Sequence, residues 1–233
     1  MKLRHTQLSI PANGVWLDGM LAHAPDVRAL ALCLHSHGHP SLEQPARPVE
    51  LALQAAGFAT MVIDLLTRQE AQRDPDATYN IPRLTERILA ATEWATHQPP
   101  LTGLPLALVA SGTGCAAAIR AAARAPERFS AIACLGGRAD LAGAEPLRAV
   151  RTPVRLIVTP GTTEAGILER AYPLMRGDHH WLALPPSDNE RELELLAARA
   201  ATTWLRQHLP QVEGSAQPRA RPRLNAEGHP LLE

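Results

Sequence analysis

Apolar and polar positions along the chain fall into two alternating rhythms. Five short runs are apolar throughout and each closes on a turn signal: "RALALCLHSHG", "FATMVIDLL", "LPLALVAS", "FSAIACLGG" and "PVRLIVTPG". Strands buried on both faces of a parallel sheet have this appearance, because neither face can carry polar side chains. Two earlier patterns, Gln7–Ile10 and Val15–His23, predict strands in an antiparallel start.

Helical periodicity fills the gaps. It predicts helices at Pro48–Ala56, over "PRLTERILAATEWATHQ", over "TGCAAAIRAAARA", at Ile167–Met175 and over "NERELELLAARAATTWLRQHL". Pro82 suits a first helical turn. The last helix is acidic early and basic late, as the helix dipole favours. Strands alternating with helices predict an α/β fold, with a mainly parallel central sheet and helices on both faces. No insertion is long enough for a large lid domain. The expected organisation is one α/β domain over residues 1–210. Residues 211–233, rich in Pro, Gly, Ser and Arg without periodicity, are expected to be a flexible tail.

Composition narrows the function classes. The 233 residues carry 23 basic and 23 acidic side chains, so the basic footprint of a nucleic-acid binder is lacking. Aromatics are 3% of the chain, so Leu, Ala, Val and Ile must build the core. Cys33, Cys115 and Cys134 form no C-x-x-C pair and read as buried small hydrophobes. No apolar run reaches the ~18 residues of a membrane span, and "MKLRHTQLSIPANG" has no leader-like apolar core. The expectation is a soluble cytoplasmic protein with no nucleic-acid or membrane partner. No feature of the chain specifies an oligomeric state.

The stretch "LVASGTGCAAAIRAAARAPE", Leu108 to Glu127, reads as a strand, a sharp turn and a small-residue helix. Together with "LHSHGHP", "GFATMVIDLLT", "TYNIPRLTERILAATEW", "GGRADLAG", "TPVRLIVTPG" and "WLRQHL", it resembles the dienelactone-hydrolase-like branch of the α/β-hydrolase superfamily, from roughly Leu17 to Leu209. The resemblance implies an α/β-hydrolase fold, with a nucleophile at the centre of a G-x-S-x-G corner. Gly114 leads into the Ala-rich helix and Pro126 ends it, and counting back puts Gly112 at the nucleophile position. Ser111 comes one residue too early and Thr113 one too late. The acid position falls in "TPGTTEAG", at Thr162 or Thr163 with Glu164 close by. The loop expected to hold the histidine, "LPPSDNERELE", contains none. His180 is the nearest, at the start of a strand pattern.

The favoured expectation is an α/β-hydrolase-fold protein without standard serine-hydrolase catalysis. It would bind a small acidic ligand or a protein partner at the former active-site pocket. The pocket would use Gly38, His39, Gly112 and Thr113, since backbone N–H groups at a helix start attract anions. The alternative is a serine-type hydrolase with Ser111 or Thr113 as displaced nucleophile, helped by His37, His180 or Glu164. A third reading is a metal-dependent activity on His35, His37 and His39. The plainer reading of those histidines is as oxyanion-loop and rim residues, so no metal is expected. "GTG" lacks the spacing of a dinucleotide or P-loop fingerprint, and no cofactor is expected. Cys115 reads as packing within the first helical turn, and Asp140 as loop architecture with Arg138 as partner.

Overall fold

The computed structural model describes residues 2–36 and 46–210. Eight strands form one sheet in the order β1-β2-β4-β3-β5-β6-β7-β8. They are β1 Arg4–Ala12, β2 Val15–His23, β3 Ala29–His35, β4 Phe58–Asp64, β5 Leu106–Ser111, β6 Ala131–Leu135, β7 Val154–Val158 and β8 His179–Ala183. β1 and β2 form an antiparallel hairpin, and β2 also pairs antiparallel with β4. All pairs from β4 through β3 to β8 are parallel. The hairpin turns on Asn13 and Gly14, at φ 48° and 79°. That is the left-handed pair a two-residue hairpin requires.

Seven α-helices connect or flank the strands: α1 Pro48–Ala55, α2 Arg68–Arg73, α3 Ile81–Thr96, α4 Gly114–Arg124, α5 Ala144–Ala149, α6 Thr163–Ala171 and α7 Glu190–Gln207. Helices cover both faces, and no large lid is inserted among the described residues. One core joins β3, β5 and β7 residues with Val49 and Leu53 of α1 and Ala198, Ala201, Trp204 and Leu205 of α7. The other joins the opposite sheet face with α3, α4, α5 and α6, through Leu84, Ile88, Ile119, Leu147 and Leu168 among others. In α4, Cys115, Ala116, Ala117 and Ala118 are all fully buried, so the small residues let this helix sit close against β5. A core poor in aromatics is possible for that reason.

The sequence reading differs from the fold in a few elements. α6 starts at Thr163, not Ile167, because the Thr162 hydroxyl caps it by accepting the Ala165 N–H at 3.2 Å. It ends at Ala171, where Pro173 turns the chain into a 3-10 turn, Tyr172–Leu174. The short helices α2 and α5 and the 3-10 turn Pro75–Tyr79 were not foreseen. Pieces of about one turn are too short for periodicity to reveal. The proposed tail, 211–233, lies outside the described residues.

The chain reverses its direction across the sheet between β3 and β5. After β3 it runs to β4 on one side, then crosses to β5 on the other. The crevice at the carboxyl ends of two such strands is the usual ligand position in an open α/β sheet. Here those ends are His35 of β3, followed by Ser36, and Ser111 of β5, followed by Gly112.

Candidate functional site

β5 ends at Ser111, Gly112 turns at φ 55°, and α4 begins at Gly114. This is the strand–turn–helix corner that lifts one residue above the sheet. The residue lifted is a glycine, which accepts the left-handed conformation without a Cβ penalty. A second glycine presses against it. Gly137, at φ 81°, follows β6, and a Cβ on it would lie 2.5 Å from both the nitrogen and the oxygen of Gly112. The Gly112 carbonyl also accepts the Arg138 N–H at 3.0 Å and the Cys115 N–H at 3.4 Å.

The two hydroxyls beside Gly112 face opposite ways. Ala107 and Val109 belong to the core under α1 and α7, and Leu108 and Ala110 to the core under α3 and α4. Alternation therefore turns Ser111 toward α1 and α7. There it lines a cavity of about 380 Å³, with Arg47, Leu135, Ile157, Thr159, Leu184 and Glu190 among the other walls. Thr113 is 5% exposed. Its hydroxyl donates to Ser36 Oγ at 3.0 Å and pairs with Thr78 Oγ1 at 2.9 Å. This three-hydroxyl chain ties the start of α4 to the end of β3 and to the 3-10 turn before α3. Gly112 and Thr113 are not among the cavity's lining residues.

His35 ends β3 opposite Asp64 of β4. Its Nδ1 is 3.7 Å from Asp64 Oδ1 and its Nε2 is 3.7 Å from Glu50 Oε1. Each ring nitrogen thus faces its own carboxylate. Burial raises the Glu50 carboxyl above its ordinary range, partly offset by the Arg47 backbone N–H and guanidinium. Burial also raises the Cys33 thiol, and Glu50 adds to the effect.

The remaining sequence candidates are scattered. His180 is exposed and pairs with Arg155 near the start of β7, while the crevice lies at the carboxyl end of the sheet. Glu164 is an exposed first-turn residue of α6. His37, Gly38 and His39 lie outside the described residues. Among the described residues no group of three His, Cys, Asp or Glu is arranged to hold a metal. Cys115 and Cys134 are fully buried. Hydrogen bonding with Cys134 raises the Cys115 thiol, and burial adds to the effect, so a reactive thiolate is disfavoured there. Arg138 clasps Asp140 through Nε and a terminal nitrogen at 2.9 and 2.8 Å, bracing the turn that carries Gly137. Sequence reasoning did not select Ser36, Thr78, Glu50 or Asp64. The register of β3 and β4 could have signalled Asp64, but Glu50 on α1 and Thr78 in the 3-10 turn reach the site only through tertiary packing.

No family model matches the chain. Among solved structures it is similar to a dienelactone hydrolase from Anabaena variabilis, with 28% identity and a TM-score of 0.79, over 90% of this chain and 100% of that one. It is also similar in fold to Est1E from Butyrivibrio proteoclasticus, at 14% identity and a TM-score of 0.67, over 87% of this chain and 98% of that one. In Mycobacterium tuberculosis, proteins of two strains named "Putative phosphoribosyl transferase" are 32% identical over 214 residues, 89% of this chain and 47% of theirs. The chain spans about half the length of these curated relatives. The sheet order, the corner after β5 and the solved neighbours together define an α/β-hydrolase-fold protein. Within that superfamily its likeness is to the dienelactone-hydrolase branch, and the Anabaena structure carries the assignment.

Proposed function

We propose that this protein binds a small acidic ligand in the crevice at the ends of β3 and β5 and does not hydrolyse it by serine chemistry. Gly112 at the left-handed corner carries this reading, because the position aimed at a substrate has no side chain to attack with. The surroundings support it. Thr113 is held by two other hydroxyls, and both nitrogens of His35 face carboxylates. A hydroxyl without an adjacent base is a weak nucleophile at neutral pH. The N–H groups at the start of α4 lack i−4 partners within the helix, the Cys115 N–H turning to the Gly112 carbonyl, and the helix dipole adds on the order of 0.3–1 kcal/mol toward an anion there.

The name of the M. tuberculosis relatives describes a protein about twice as long as the matched region. It suggests ribose 5-phosphate as one of the phosphate esters to test. The experiment is a thermal-shift comparison of small carboxylates and phosphate esters with neutral analogues of the same size. The anions are expected to raise the melting temperature more. At a concentration of ~100 times the dissociation constant, stabilisation is about 2.7 kcal/mol. Equal shifts from the neutral analogues would overturn the reading, and a protein partner on the same face would become the better hypothesis.

A second reading rests on one observation. Ser111, His35 and Asp64 end three neighbouring strands, β5, β3 and β4, in the order of a nucleophile, a base and an acid. Ser111 and His35 share the face of Val109 and Cys33. For this row to work, the His35 ring must leave Glu50 and turn a nitrogen to Ser111.

A further inference from the structure

The cavity beside Ser111 has walls of two kinds. Its interior is apolar, formed by Leu135, Ile157, Leu184 and Leu193. Its rim carries charges of both signs from different helices: Arg47 at the start of α1, and Glu190 and Glu194 one turn apart on α7. Residues four apart on a helix share a face, so the two carboxylates present one acidic stripe. Arg191 pairs with Glu194 at 3.2 Å, while Glu190 supplies first-turn charge on α7. Ser111, Thr159 and Thr162, which also line the cavity, add hydroxyls able to donate or accept.

From these walls we infer that the cavity takes a small zwitterion with an apolar side group, such as an α-amino acid. The carboxylate would face Arg47, the ammonium would face Glu190 and Glu194, and the side group would lie on the leucine and isoleucine walls. This rests on the reading of the crevice as a ligand site, which the cavity adjoins at Ser111, and narrows the acid to one that also carries an ammonium. A simple acid would satisfy Arg47 but bring a like charge to the glutamates. A simple amine would satisfy the glutamates and leave Arg47 without a partner from the ligand. Only a molecule with both charges matches the rim, and juxtaposed like charges are the stronger discriminator. The volume, about 380 Å³, lies at the small end of ligand pockets and suits a single amino acid.

Four probes of one shape test this by isothermal titration calorimetry: leucine, leucinamide, 4-methylpentanoate and 4-methylpentanamide. Leucine is expected to bind about ten-fold or more tightly than each of the others. Arg47→Met is expected to reduce leucine to the level of leucinamide while leaving leucinamide unchanged. Glu190→Gln combined with Glu194→Gln is expected to reduce leucine to the level of 4-methylpentanoate. These positions are exposed, so the folded state is expected to tolerate the changes. If 4-methylpentanoate binds as tightly as leucine, the zwitterion is overturned and the acidic-ligand reading stands. If leucinamide or 4-methylpentanamide binds as tightly as leucine, both are overturned. No binding by any of the four overturns the zwitterion and leaves the acidic-ligand reading to the phosphate esters.

Discussion

Gly112 stands at the corner after β5, and the proposal of binding without acylation rests on it. Its φ is 55°, and it carries no side chain that could attack a substrate. Restoring a side chain is therefore not expected to restore an enzyme. Gly112→Ser is expected to show no p-nitrophenyl acetate hydrolysis above Gly112→Ala. Each should cost about 1–2 kcal/mol in urea unfolding, the penalty for a non-glycine residue in the left-handed region. Saponification of the ester by the serine variant alone would mean that a base is in place after all. Gly137 is under a harder constraint, since its Cβ would fall 2.5 Å from backbone atoms of Gly112. Gly137→Ala is expected to lower stability by about 2 kcal/mol or more. Gly112 was legible in the sequence because a helix start and a proline stop give a count. The link of Thr113 to Thr78 and Ser36 was not, because it joins residues 35 and 77 positions apart and depends on side-chain direction.

The element that holds the crevice's α3 side in place is a clamp between α2 and α3. Arg87 of α3 is 2% exposed and donates to the Leu65 carbonyl at 2.7 Å and to both oxygens of Glu70 on α2. Burial alone would raise the Glu70 carboxyl. Hydrogen bonds from Arg87 and from the Thr67 N–H and hydroxyl outweigh it and bring the group down to about 2. A folded-state value below the unfolded one stabilises the protein fully above pH 4.5, and the gain is lost as pH falls from 4.5 through about 2. Stability measured by urea unfolding is expected to drop across that window, and less steeply in Glu70→Gln. Arg87→Ala is expected to cost about 2–4 kcal/mol at neutral pH, because it empties a buried site and removes the donors to the Leu65 carbonyl and to the partly buried Glu70. A loss under about 1 kcal/mol would show that the clamp is decorative. None of this was legible in the sequence, where residues 68–73 carry no assignment. Six residues are too few for a period, and only the capping-box spacing of Thr67 and Glu70 marks its start. The long helices α3 and α7 were legible, since sixteen and eighteen residues give several full turns.

At the scale of the molecule, the alternation of buried strands and amphipathic helices gave the architecture, and the resemblance gave the branch. The antiparallel start followed from two strand patterns, but the order of all eight strands needed coordinates. The topological reversal brings His35, Ser36, Ser111 and Gly112 to one crevice, the usual ligand position in an open α/β sheet. The corner offers backbone donors, and a cavity of about 380 Å³ lies beside it, lined in part by Ser111. The account's central claim is that this crevice binds and does not acylate. The most direct test is intact-mass spectrometry of the native chain after exposure to a fluorophosphonate. No adduct is expected beyond that formed on Ser111→Ala. A stoichiometric adduct on Ser111 that disappears in His35→Gln, or one on Thr113, would contradict the account and identify a working nucleophile.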